Sequence, residues 1–97
     1  MTFNVEITTV GGDVLTDNGF DVYVVDCSAG SVTVTLATDY DGKIYIIKRR
    51  PTGVGTSNIL TVVTQDSSSI DNLSSVNLLE GELLKIIKFS GNWLTFI

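Results

Sequence analysis

The sequence predicts an all-β domain, an antiparallel β-sandwich or small β-barrel of about eight short strands. Three observations predict it. Residues 31–36 alternate strictly, with Val32, Val34 and Leu36 on one side and Ser31, Thr33 and Thr35 on the other, the period of a half-buried strand. Turn-forming residues recur roughly every eight to twelve positions. Helical periodicity is nearly absent: residues 78–88 place Leu79, Leu83 and Ile86 at helical spacing, but Gly81 interrupts them and Ile86-Ile87 favours a strand.

Each element follows from local pattern. Residues 4–9 alternate through Val5 and Ile7 and read as a strand, turned by Gly11-Gly12-Asp13. Val14-Leu15-Thr16 is a brief strand or the approach to the next turn, Asp17-Asn18-Gly19, where Asn-Gly predicts a tight hairpin reversal. Residues 20–25, 31–36 and 43–48 form three successive strands, separated by Ser28-Ala29-Gly30 and by Asp39-Tyr40-Asp41-Gly42. Residues 50–57 hold the single proline and read as a loop, and residues 58–64 are β-branched and apolar, a strand. Residues 65–72 are polar apart from Ile70 and predict a loop with at most a short strand there. Residues 76–79 suit an edge strand. Glu80-Gly81 and Ser90-Gly91-Asn92 turn the chain into strands at 82–89 and 92–97.

The chain has 97 residues, a length for one domain spanning 1–97. A lone domain of this size buries only about 60–65% of its unfolded surface. Cys27 is the single cysteine, and histidine is absent. An intrachain disulfide is therefore excluded, the commonest transition-metal ligand is missing, and association is the remaining source of added stability. The net charge of −5 argues against a nucleic-acid partner, which favours a basic surface. The N-terminal MTFNVEITT lacks the basic and apolar regions of a signal peptide. No stretch approaches the ~20 apolar residues of a membrane helix, so no membrane insertion is expected.

Several strands are apolar on both faces. Ile44 and Ile46 oppose Tyr45 and Ile47; Leu83, Ile87 and Phe89 oppose Leu84 and Ile86; Trp93 opposes Leu94 and Phe96. Loops can cover a second apolar face, or a neighbouring subunit can. The candidate interface residues are Tyr45, Ile47, Leu84, Ile86, Leu94 and Phe96.

No cluster announces a reaction, and the expectation is a protein that is not an enzyme. Asp39 and Asp41 have the spacing that opens some calcium loops, but Arg50 stands where such a loop needs a glutamate. Cys27 has no histidine to activate it and reads as a small buried residue. No metal or cofactor is expected. Lys48-Arg49-Arg50 is the basic run, suited to a solvated strand end or to an anionic glycan. Trp93 reads as core and Tyr40, in a turn, as an exposed aromatic. The candidate receptor or glycan contacts are Tyr40, Asp39, Asp41, Arg49 and Arg50.

The run YVVDCSAGSVTVTL at 23–36, followed by GKIYIIK at 42–48, resembles a pattern of phage tail-fibre and related virion proteins. It consists of an apolar strand, Asp-x-Ser-x-Gly, a Val-Thr-Val-Thr-Leu strand, a loop, and a glycine leading an isoleucine-rich strand that ends in lysine. The order of strands after residue 58, closing on Gly91-Asn92-Trp93, is similar, so the resemblance covers about residues 20–97. Ala37 departs from the proline frequent after the leucine. The resemblance implies a structural virion component, a homotrimeric fibre or spike domain made in the host cytoplasm. Its partners would be its own copies, other virion proteins, and a host receptor or glycan. A stand-alone carbohydrate-binding module is the alternative.

Overall fold

The computed structural model describes residues 5–8, 12–16, 19–52 and 57–96. Within them lie nine strands: β1 (Val5–Thr8), β2 (Gly12–Leu15), β3 (Val22–Val25), β4 (Val32–Leu36), β5 (Ile44–Arg49), β6 (Leu60–Thr64), β7 (Ser75–Leu78), β8 (Leu83–Phe89) and β9 (Asn92–Thr95). They form a five-stranded sheet, β1-β3-β5-β8-β9, and a four-stranded sheet, β2-β4-β6-β7. The all-β sandwich is as the sequence predicts. Residues 78–88 hold strand and turn, with no helix among the described residues.

Strand direction differs from expectation. β1/β3, β3/β5, β2/β4 and β4/β6 pair in parallel, and only β5/β8, β6/β7 and β8/β9 are antiparallel. From β1 to β6 each strand crosses to the opposite sheet, so successive pairs stack as three coils. The last three strands reverse and close the stack. Alternation separates the two sides of a strand, but parallel and antiparallel strands share that period. The hairpin expected at Asp17-Asn18-Gly19 is therefore absent: β2 and β3 belong to different sheets. Gly12 and Asp13, expected in a turn, open β2. Asn4, Thr9, Gly11, Asp17, Asn18, residues 53–56 and Ile97 lie outside the described residues.

One core fills the space between the sheets. It takes Tyr23 and Val25 from β3, Val32, Val34 and Leu36 from β4, Tyr45 and Ile47 from β5, and Leu60 and Val62 from β6. Leu78, Leu84, Ile86 and Trp93 close it, with Ile70 from the 65–74 loop. Phe20, Tyr23, Tyr45 and Trp93 form an aromatic chain with successive ring centroids 6.5, 6.1 and 5.5 Å apart, the first two contacts edge-on as ring quadrupoles favour. Arg49 ties the sheets at one end, its guanidinium donating to the carbonyls of Leu78 (2.8 Å) and Asn58 (3.0 Å).

Candidate interaction surfaces

The two outer faces of the sandwich differ in chemistry. On the four-stranded sheet the rows run Asp13–Thr33–Thr61–Asn77 and Leu15–Thr35–Val63–Ser75, a hydroxyl-rich surface suited to water. On the five-stranded sheet one row runs Ile44–Ile87–Leu94. The next runs Val5–Val22–Ile46–Lys85 and continues to Phe96, whose N–H donates to the Lys85 carbonyl at 3.0 Å. A third places Val24 beside Lys48 and Leu83. Val5, Leu83, Phe89, Leu94 and Phe96 are each 41–62% exposed.

This geometry corrects the expected interface. Tyr45, Ile47, Leu84 and Ile86 are 0–6% exposed and belong to the core, while Leu94 and Phe96 lie outside. The alternation separates the two sides of each strand as read, but register decides which side faces in. Tyr45 opposes Ile86 and Ile47 opposes Leu84, on the side where the Tyr23–Tyr45–Trp93 chain fills the interior. Ile44, Ile46, Leu83, Ile87 and Phe89 are the outward partners of Leu94 and Phe96.

The expected receptor contacts divide between opposite ends of β5, whose six residues rise about 20 Å. At one end Tyr40 is 71% exposed at the crest of a turn closed by Lys43 N–H donating to the Tyr40 carbonyl (3.2 Å), with Gly42 at φ +93°. Asp39 and Asp41 largely serve the fold. Asp39 Oδ1 accepts the Tyr40 N–H (3.0 Å), and its Oδ2 lies 2.9 Å from the Tyr45 hydroxyl. Asp41 Oδ1 accepts the Gly91 N–H at 3.2 Å, joining this turn to the β8–β9 hairpin. Burial, with the Asp39 carboxylate close by, holds the Tyr45 phenol above its ordinary pKa.

At the other end Arg49 is only 6% exposed and spent on carbonyls, so it is not a contact for an outside ligand. The sequence places it beside Arg50 in a basic run, but β5 runs one residue past the expected end and turns it inward. Arg50 is exposed and pairs with Asp26 Oδ2 at 3.3 Å. Asp26 begins the Asp-x-Ser-x-Gly motif. Its Oδ1 accepts the Ser28 N–H at 2.8 Å, and hydrogen bonds from Ser28 lower its pKa. The motif is a local turn. Cys27 is buried, and burial pushes its thiol above the ordinary range. Trp93 is fully buried, which removes it as a sugar platform.

Two features were not legible in the sequence. Lys88 occupies an inward position of β8, 3% exposed, with its ammonium 3.1 Å from Asp66 Oδ2 and 5.1 Å from the Trp93 ring centroid. Hydrogen bonds from Ser68 first, with Lys88 beside it, hold Asp66 down at about 2. The second feature is the covered edge of β9. Trp93 N–H donates to the Ser69 carbonyl (2.8 Å), Asp71 N–H to the Trp93 carbonyl (2.9 Å), and Thr95 N–H to Asp71 Oδ1 (3.0 Å). A shallow groove of about 450 Å³ lies on this loop, lined mainly by Ser67, Ser68, Ser69, Asn72, Leu73 and Ser74. Among the described residues no three Asp, Glu or Cys side chains converge as a metal cage.

No protein-family model matches this chain, and no match was found among curated proteins.

Proposed function

We propose that this chain is a non-enzymatic structural component of a virion, a fibre- or spike-type domain that works as a homotrimer. The observation that carries the reading is the stacking of β1 to β6 as three coils in two parallel ladders. In such a stack each coil contacts only its neighbours and covers their backbone groups, a plan suited to an elongated, load-bearing segment. The similarity of residues 20–97 to tail-fibre sequences supports the virion setting. The role is mechanical: hydrogen-bonded ladders hold the coils together, and the turns at the ends of the strands stay open to outside partners.

The test is co-fractionation of the protein with released particles, with immunogold labelling of those particles. Gold on projecting fibres or spikes, and a light-scattering mass three times the 10.4 kDa chain, is the expected result. Protein found only in the particle-free fraction would overturn the reading.

The exposure of Tyr40 favours one second reading, a stand-alone carbohydrate-binding module, in which this ring would stack on a sugar. A glycan array gives specific hits in that case, and Tyr40→Ala abolishes them. An array without hits rejects it.

A further inference from the structure

We propose that the four-stranded sheet continues from copy to copy, the free edge of β7 pairing with the free edge of β2 of the next copy, and that three such contacts close the homotrimer. The inference deepens the structural reading above and takes the number three from it.

The first argument is which edges are open. The edge strands are β1 and β9 in the larger sheet and β2 and β7 in the smaller. The protein's own loop at 69–71 takes the outward groups of Trp93 and Thr95 on β9. Among the described residues no second strand and no such loop pairs with β2 or β7. β7 reads Ser75-Val76-Asn77-Leu78, without the lysine or proline that blunts an edge. Arg49 holds the Leu78 carbonyl, so the stretch open to pairing is 75–77.

The second argument is that the two edges fit each other. Val14 on β2 and Val76 on β7 pack against the core from opposite rims of the sheet and are only half-buried there. Asp13 and Asn77 end one row across the outer face, Asp13–Thr33–Thr61–Asn77. Both are exposed, and among the described residues neither side chain is held by a hydrogen bond or ion pair. One antiparallel register sets Asn77 against Asp13 of the next copy, Val76 against its Val14, and Ser75 against its Leu15. The amide then donates to the carboxylate, and the valines cover each other at the rim of the core. Cross-strand pairs of these kinds stabilise a sheet.

The third argument is direction. β2, β4 and β6 run parallel, and β7 runs against them. An antiparallel contact between β7 and the next β2 therefore leaves both copies pointing the same way. Copies related by a threefold axis along the strands must share one direction. The contact is also heterologous, joining two different edges, which is what a ring of three requires. Pairing of like edges would be two-fold and would stop at a dimer.

A three-residue antiparallel pairing adds only about two to four backbone hydrogen bonds, so one contact is weak. The copy that closes the ring makes two contacts at once, the second of them intramolecular. Trimer should therefore form with little free dimer and depend steeply on concentration.

The experiment is light scattering of the full chain over a roughly hundredfold range of concentration, with circular dichroism to verify folding. The wild type should pass from the monomer mass to three times that mass. Asn77→Asp sets like charges opposite each other across the contact and should weaken association several-fold with an unchanged spectrum. Asp13→Lys added to Asn77→Asp should restore it. Within one copy these positions lie about 14 Å apart, three strand spacings, so the rescue reports a contact between copies. Leu94→Glu, on the five-stranded sheet, should leave association unchanged. A wild type monomeric throughout, one that stops at a dimer, or one that grows without limit overturns the proposal. A trimer broken by Leu94→Glu and indifferent to Asn77→Asp also overturns it, while leaving the fibre reading standing. A trimer that shows the rescue in a protein absent from particles supports this contact and rejects the fibre.

Discussion

A lysine at an inward position of a strand needs a counter-charge, and Lys88 finds it in Asp66 from the loop after β6. Removing one member of such a pair strands the other. Asp66→Ala should cost about 2 kcal/mol, less than for a fully buried pair because the carboxylate is partly open to water. Lys88→Met keeps the stem against Trp93 and should cost less than Asp66→Ala; urea denaturation of both variants checks the order. The folded pKa of Asp66, about 2, lies below the ordinary 3.8. Its contribution is therefore complete above about pH 4 and is lost as pH falls towards 2. Asp66→Asn should flatten stability against pH in that window. Arg49 gives a second prediction at this scale. Arg49→Met removes the guanidinium donors to the Leu78 and Asn58 carbonyls and should cost about 2 kcal/mol, measured by the shift in thermal midpoint. The sequence exposes none of this. Lys88 and Arg49 look like surface residues, because charge predicts exposure unless a distant partner is known.

Turn chemistry dominates at the scale of the element. The β8–β9 hairpin closes with Ser90 and Gly91 at φ +53° and +82°, both positive, as the twist of a two-residue hairpin requires. The turn was readable as Ser90-Gly91-Asn92 because few residue types accept that backbone. A Cβ at Gly91 would meet nothing within 4 Å, so Gly91→Ala tests backbone strain alone. It should lower stability by about 1 kcal/mol, as a chemical-denaturation series would report. The Asn-Gly signal at 18–19 shows the limit of the same logic. It announces a reversal, but the strands it separates enter different sheets, and a turn signal does not encode which ladder each joins. The 65–74 loop carries Ser67, Asp71 and Asn72 at positive φ, a path that sets Asp71 against the edge of β9. Its polar composition predicted a loop and gave no sign of that task.

For the whole molecule, the open edges of the four-stranded sheet make stability and assembly one question. If those edges are covered by other copies, the folded state is linked to association by mass action. The thermal midpoint should then rise with protein concentration, and the Asn77→Asp variant should lose much of that dependence; differential scanning calorimetry at widely separated concentrations reads both. The Tyr40 end and the Arg50 end are separated by the length of β5. They cannot act as one site, although the sequence offered them together as contacts for a receptor.

The sequence by itself determined the strands, most of the turns and the two-faced character of β5, β8 and β9. Those properties are local, set by the two-residue period of the extended chain and by the few residue types that tolerate a reversed backbone. Only the tertiary structure decided that Tyr45, Ile47, Leu84 and Ile86 turn inward and Ile44, Ile46 and Ile87 outward. It also decided that the first six strands stack in parallel. Both outcomes depend on which surface the opposing sheet covers, and that contact joins residues far apart along the chain, where neither period nor composition carries the answer.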